Sequence, residues 1–354
     1  MITPATPQIW AWASMQPLVL VIQACRSNGD RILSKIRTSK VFELLKWFQG
    51  KQRSLLPPIK NPNGGLTATH PHHKAKNLAK QFFPPIANPN VTLQPLGIKR
   101  MPKRAFQEIT VDKIANAIKS TSNKSSPGAF GSNYRVLKWA FWCNTTLFAK
   151  LFNLCLNIGY HPTSLQNCVI APIPKPCQQD MSLPKNYQPI ALLETLSKLL
   201  EKVITTQLTF EAGKFALIPQ SQFGGRDITS CTDAGICMVH NIKSHWKSNH
   251  RVSLITLDVS GYFNNVDHNR LIYTLDRMGY SNQICNWMKS YLSHRTAQFR
   301  IDGHLCPSIA LPTVGIPQGS PLSPILFSLY STPYSLLLKT TMHSHLHTLT
   351  TSPY

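Results

Sequence analysis

Acidic residues are scarce in this chain: 14 Asp and Glu stand against 37 Lys and Arg, a formal net charge of +23 over 354 residues. Self-repulsion of that size is a burden for a free-standing protein, so a polyanionic partner is the natural inference. Paired cysteines are missing as well. The nine cysteines form no CxxC pair and have no histidine cluster at zinc-ligand spacing, which excludes a zinc module and reads as free thiols in a reducing compartment. Nor is there an apolar run of the twenty or so residues a membrane helix needs. Ile9 to Cys25 resembles a signal core, but no Lys or Arg precedes it and Gln16, Pro17 and Gln23 interrupt it. The chain is therefore expected to be soluble, with no membrane partner.

What is present is enough for a full core: 42% of the residues are hydrophobic, and the length allows one large domain or two to three small ones. Residues 1–52 form an N-terminal region without clear pattern, with a loosely periodic helix over Asp30 to Phe48. Residues 53–100 are rich in Pro and Asn and read as a basic linker wrapped on a surface, with one short helix near Lys74 to Phe82. Ordered structure is expected over residues 101–338. Thr110 can cap a helix carrying Val111, Ile114 and Ile118, with Asp112 in its first turn. Tyr134 to Asn157 is apolar at helical spacing and predicts one or two core helices, and Val169 to Ile173 a short strand.

Leu192 to Leu208 carries an apolar stripe at helical spacing, with Glu194 and Lys198 paired outside it. Gln222-Phe223-Gly224-Gly225-Arg226 has no phosphate-cradle spacing and reads as a turn. Asp267 can cap a helix from Asn269 to Met278, and Ser281 another through Leu292. Asp302-Gly303 signals a hairpin, and Ser320 with Pro321 opens a last helix. Residues 339–354 are polar and rich in Thr and His, a disordered tail whose His343, His345 and His347 alternate without periodic structure.

The chemistry centres on Leu254 to His268, LITLDVSGYFNNVDH. Leu254 to Leu257 read as a buried strand that delivers one carboxylate, Asp258, before the Ser260-Gly261 breaker. A carboxylate ending a buried strand needs a cation or a partner. Taken alone, Asp258 would serve equally as the cap of the next turn.

Read together with the blocks IPKPCQQDMSLPKNYQPIALLETLSKLLEKVITTQL, QSQFGGR and GIPQGSPLSPILF in this order, the chain resembles the reverse transcriptases of non-LTR (LINE-type) retrotransposons, particularly the fungal ones, over residues 55 to 338. The resemblance implies an α+β right-hand polymerase fold, with fingers plus an incomplete palm, mostly helical with a small antiparallel sheet. It implies an RNA template, a DNA primer and deoxynucleoside triphosphates as partners, Mg²⁺ as the cofactor, and an intracellular setting, nucleus or cytoplasm. Asp258 and the backbone carbonyl of Val259 would ligate Mg²⁺, which activates the primer hydroxyl and holds the triphosphate in an in-line displacement. Phe263 would sit under the incoming sugar and exclude a 2′-hydroxyl. Gln318 would touch the nucleotide, Gly319 would let backbone approach closely, and Lys175 would meet phosphates. Without the resemblance, Phe263 fits core packing, Lys175 is one exposed lysine among many, and GIPQGS is a turn before a helix.

Several positions depart from the family pattern. The family's second and third metal ligands lie in an aromatic-x-Asp-Asp hairpin after the Pro-Gln-Gly block, and no acid follows Asp302 here. The sequence is thus expected to be truncated before that motif, to be unable to polymerise by itself, and to be without a thumb or an upstream endonuclease. Tyr187-Gln188-Pro189-Ile190 stands where the family has Tyr-Arg-Pro-Ile, which removes a phosphate-gripping guanidinium. Pro127-Gly128-Ala129-Phe130 replaces Pro-Gly-Pro-Asp, and Tyr262 and Asn264 flank Phe263 in place of Ala and Asp. The reading is a reverse transcriptase domain that is catalytically incomplete; the alternative is a non-catalytic basic nucleic-acid-binding relic.

Overall fold

A computed structural model of the chain describes residues 55–84, 99–226, 229–254, 256 and 261–341, with side chains through Tyr334. The expected helix over Asp30 to Phe48, the 1–52 region, Asp258, Val259 and the histidine-rich tail from 342 onward lie outside the described residues.

Local signals place most helices. Helix α1 spans Pro71–Phe82. Helix α2, Val111–Lys119, starts where Thr110 accepts a hydrogen bond from the Lys113 amide, the pattern that satisfies a free first-turn N–H. The apolar stretch from Tyr134 to Asn157 divides into α3 (Tyr134–Cys143) and α4 (Thr145–Asn157), because Asn144 leaves helical geometry and caps the second helix through the Leu147 amide. Helix α5 is Thr195–Lys214 and α6 is Cys231–Lys247, opened by a reciprocal Ser230–Asp233 capping box. Asp267 caps α7 (His268–Arg277) and Ser281 caps α8 (Asn282–Leu292). Between them Gly279 takes φ +80°, and a β-carbon there would lie 2.5 Å from the Pro102 carbonyl oxygen. Helix α9 is Ser323–Thr341. It starts two residues after Pro321 and continues past residue 338, where the tail was expected to begin.

The expected helix over Leu192 to Leu208 is corrected at its start. Tyr187–Leu193 forms a strand with strictly alternating burial, and the helix begins only after Glu194. Leu192 and Leu193 fit a helical stripe in sequence, but period-two alternation against a neighbouring strand decides their conformation. Glu194 and Lys198 are not outside the core: their exposures are 2% and 8%. The Glu194 carboxylate accepts the Phe130 amide at 3.0 Å, and Lys198 Nζ donates to the Ser126 carbonyl at 2.8 Å. Together they hold the Pro127-Gly128-Ala129-Phe130 turn, where a β-carbon on Gly128 would press on Glu194 at 2.7 Å. Burial raises the Glu194 pKa, opposed by the Phe130 and Ala129 amides and by Lys198.

The sheet is mixed, which corrects the antiparallel expectation. Strand β1 (Asn167–Pro174) pairs antiparallel with β2 (Tyr187–Leu193) and parallel with β3 (Thr296–Ile301). Short strands β4 (His304–Leu305) and β5 (Ile309–Ala310) then pair with β3. Parallel pairing requires a long crossover, here the run of helices α5 to α8, and no local sequence signal announces it. Asp302 and Gly303, both at positive φ, form the β3–β4 turn.

Two cores result. Helices α2 to α5 and α7 to α9 bury one large cluster that includes Phe141, Phe148, Val203, Trp287 and Tyr291. The second lies between α1 and the sheet and contains Leu78, Phe82, Ile170, Leu193 and Phe299. The segment expected to be a surface linker is therefore partly a core element: Ile59 and Leu78 are 0% exposed. A buried ion pair pins it, Lys74 Nζ to Asp302 at 2.9 Å, while the other Asp302 oxygen accepts the Leu56 amide at 2.7 Å. The expected strand at Leu254 to Leu257 is not seen at its described residues, since Leu254 and Thr256 are exposed and lie in no strand.

Candidate functional site

Backbone pairing brings two sequence blocks together. The amide of Gly315 donates to the Val266 carbonyl and that of Ile316 to the Phe263 carbonyl, both at 2.8 Å, beside an Asp267–Val314 bridge. His268 closes the junction through its Nε2 contact to the Gly315 carbonyl at 2.7 Å, and burial lowers its pKa. The turn that follows residue 258 is thereby joined to the loop carrying Pro317, Gln318 and Gly319. Phe263 is half-buried, edge-on to Tyr262 with ring centroids 4.8 Å apart, while Tyr262 stacks on Phe327. Tyr262 thus packs between Phe263 and α9.

The Pro-Gln-Gly loop is fixed to the sheet edge. Among the described strands β2 lies at the sheet edge, and its Ala191 amide donates to the Gln318 carbonyl at 2.7 Å. Gly319 adopts φ +112°, and a β-carbon there would lie 2.8 Å from the Ala191 carbonyl oxygen. Only glycine meets both demands. Ser323 Oγ donates to the Pro317 carbonyl at 2.7 Å and closes the turn from the helix side.

Lys175 follows the last residue of β1, and its amide donates to the Asn186 carbonyl at 2.8 Å. Ala191 pairs with Ile170 in the β1–β2 register. Lys175 is five residues further along, so it stands ~17 Å from the Pro-Gln-Gly loop along the strand at the usual rise. The side chain is exposed. Phe263, Gln318 and Gly319 are brought together, whereas Lys175 lies at the far end of the same sheet.

A cavity of about 40 Å³ lies behind the loop, lined among others by Cys168, Ala191, Asn264, His268, Arg295 and Gln318. It has room for a few waters and not for a nucleotide. Among the described residues there is no group of three or more metal-ligating side chains. Asp267, the described acid nearest in sequence to Asp258, accepts the Arg270 amide at 2.6 Å as a helix cap. The described residues therefore do not by themselves make up a divalent-metal site.

The sequence reading missed a buried polar cluster behind the loop. Glu201 is 0% exposed. Its carboxylate accepts Ser197 Oγ at 2.6 Å and, in a short hydrogen bond, Ser320 Oγ, the residue after Gly319. Tyr291 OH donates to Ser320 Oγ at 3.1 Å, and the Arg295 guanidinium donates to the Tyr291 carbonyl at 3.1 Å while lying over its ring. His161 touches Ser197 Oγ through Nε2 at 3.4 Å and meets the stacked rings of Trp287 and Tyr291 edge-on. Burial, assisted by Arg295, holds its pKa down to about 3. The available signal was an acid inside the apolar stripe of α5 in a chain with few acids.

Comparison with known proteins decides the family. The family described as reverse transcriptase (RNA-dependent DNA polymerase) matches residues 173–349, half of the chain. The chain belongs to the reverse transcriptase family. It is 28% identical over 285 residues to the probable RNA-directed DNA polymerase from transposon BS of Drosophila melanogaster, covering 77% of this chain and 31% of the relative. Over 283 residues it is 28% identical to the RNA-directed DNA polymerase from mobile element jockey of the same fly, covering 77% and 30%. The Pol polyprotein from the type-1 retrotransposable element R2 of Popillia japonica is 27% identical over 224 residues, covering 63% and 30%. The chain thus spans about a third of the length of these curated relatives. Like the family, it combines helices with a small mixed sheet in an α+β fold, and the matched stretch contains the Phe263 turn, the Pro-Gln-Gly loop and Glu201.

Proposed function

We propose that this chain is the fingers and partial palm of the right-hand polymerase of a LINE-type, fungal-like retrotransposon, working inside the cell on an RNA template, a DNA primer and deoxynucleoside triphosphates. Asp258, with the Val259 carbonyl, would ligate Mg²⁺; Phe263 would gate the sugar, Gln318 and Gly319 would meet the nucleotide, and Lys175 would meet phosphate. The observation that carries the reading is the pairing of the Ile316 amide with the Phe263 carbonyl, which joins the turn after Asp258 to the loop bearing Gln318. The relatives' names support the element class. The net charge of +23 supports a nucleic-acid partner.

A single aspartate does not hold two divalent ions on a triphosphate, and no acid follows Asp302 in this sequence. These residues by themselves should bind template–primer without extending it. Primer extension with Mg²⁺ on the purified chain tests this, with binding followed in parallel across a salt titration. The expected outcome is no incorporation, with binding that weakens steeply as salt rises. Incorporation that Asp258→Asn abolishes would overturn the catalytic incompleteness; absence of template–primer binding would overturn the polymerase reading itself. The same scarcity of carboxylates favours the second reading, a basic nucleic-acid-binding relic. That reading fails if adding a polypeptide with an aromatic-x-Asp-Asp hairpin restores extension.

A further inference from the structure

A surface away from the candidate site has the chemistry of a base-stacking platform. On α3, Arg135, Trp139 and Trp142 recur at i, i+4 and i+7 and so share one face, and all three are exposed or half-exposed. Trp139 and Trp142 are 55% and 54% exposed, unusual for the largest apolar side chain. The same helix buries Tyr134, Ala140 and Phe141 on its other side; Trp142 meets the Phe141 ring edge-on at 5.0 Å, yet more than half of each indole stays open to solvent. Lys119, the last residue of α2, sets its ammonium 5.7 Å from the centre of the Trp142 ring. Lys138 and Lys202 draw toward the same corner, donating to the Thr121 and Ser120 carbonyls at 2.8 and 3.5 Å. No Asp or Glu occurs between Asp112 and Asp180, so α3 contributes no carboxylate to this face.

We infer that the α3 face formed by Arg135, Trp139 and Trp142, with Lys119, binds single-stranded nucleic acid by stacking bases on the indoles while the cations meet the backbone. This rests on the proposed nucleic-acid role and adds a second surface to it. Charge complementarity selects the occupant: an apolar protein partner would be met by Arg135 and Lys119 with no counter-charge, whereas a phosphate backbone supplies that charge at every residue. Stacking needs no sequence readout, because every base presents a π-face. The three positions span ~10 Å along the helix axis, which suits about two unstacked bases.

The test uses the full chain and short fluorescein-labelled oligo(rU), oligo(dT) and duplex DNA, followed by anisotropy. Trp139→Ala with Trp142→Ala is expected to weaken binding of both single-stranded probes by about tenfold or more, from the loss of base–aromatic stacking. Duplex binding should change less than about threefold, since paired bases cannot stack on the indoles. Trp139→Phe should recover part of the loss, because a phenyl ring still stacks. Lys119→Gln should lower the salt slope by about 0.7 on the single-stranded probes. Melting curves check that the exposed-site variants stay folded. Unchanged single-stranded affinity in the double variant overturns the inference while the polymerase reading stands. Wild-type chain that binds no nucleic acid overturns both. Self-association in sedimentation that the double variant abolishes, with nucleic-acid affinity intact, overturns it too and reassigns the face to a second copy of the chain.

Discussion

Glu201 and Ser320 should be energetically coupled, and the coupling should be felt at the Pro-Gln-Gly loop. The Glu201 carboxylate takes two hydroxyl donors, from Ser197 and Ser320, in a site with 0% exposure at Glu201 and Ser197 and 5% at Ser320. Glu201→Ala strands both donors, at about 1–3 kcal/mol for each buried unsatisfied group. The resulting loss of about 2–6 kcal/mol is a large share of a typical domain's stability of about 5–15 kcal/mol, so gentler variants are the useful ones. Glu201→Gln keeps the shape and one oxygen acceptor, and Ser320→Ala removes one donor while depriving Tyr291 OH of its acceptor. Each should cost about 1–2 kcal/mol, and the double variant should fall short of the sum by at least about 1 kcal/mol.

Urea unfolding provides the cycle, and Trp287, stacked on Tyr291 at 5.1 Å, is an internal fluorescent reporter. Amide exchange at Ala191 reports the loop, because that N–H is donated to Gln318; it should quicken in Glu201→Gln while amides in the middle of α5 keep their protection. A coupling within about 0.3–0.5 kcal/mol of zero would sink the argument. So would Glu201→Leu matching the wild type in both stability and Ala191 exchange, since buried ionic groups are in some proteins replaceable by apolar ones.

Two further perturbations probe the frame. Asp302→Ala leaves the Lys74 ammonium buried against the Leu56 carbonyl without its carboxylate, and should cost about 3–5 kcal/mol and open residues 55–84 to proteolysis; a urea-unfolding loss below about 1 kcal/mol would contradict the buried-pair argument. His161 has a folded pKa of about 3 against about 6.5 unfolded, so between those values the unfolded chain binds the extra proton. Stability is then unaffected by His161 above about pH 6.5 and declines by about 1.4 kcal/mol per unit as pH falls below it. His268, also lowered by burial, adds in the same direction. His161→Gln should flatten part of that slope in unfolding measured from about pH 7.5 down to about pH 5; a full wild-type slope in the variant would refute the assignment.

The parts of the fold legible in the sequence were those decided within a few residues. Thr110, Asp267 and Ser281 each cap the helix their spacing announces, and Asp302-Gly303 makes the expected turn, because caps and tight turns depend on their own side chains. What was not legible depended on partners far away in the chain. The parallel pairing of Asn167–Ile170 with Thr296–Phe299 is set by a crossover, and nothing in either strand encodes its direction. The burial of Glu194 and Lys198 requires a turn some sixty residues earlier. At the site, the Pro-Gln-Gly block and Phe263 were legible as motifs, whereas their junction through Ile316 and the Glu201 support behind it were not. A carboxylate on a buried helix face looks like an exception to the stripe until its two hydroxyl partners are known.

The scarcity of acids acquires a sharper meaning once their partners are known. Asp180 holds a turn with Ser182 and Lys60, Glu211 pairs with Arg104, Asp233 closes a capping box, Asp267 caps α7, Asp276 meets Lys103 and Asp302 meets Lys74. Glu194 and Glu201 tie down two turns from the core. Nearly every described carboxylate is thus engaged in holding the fold, and moving any of them to a metal would release a cap, a clip or a turn. A chain under no such constraint could recruit a nearby acid to repair an incomplete metal set. Eight of the described acids are already structural in this way, so two-metal catalysis would need Asp258 joined by carboxylates other than these eight.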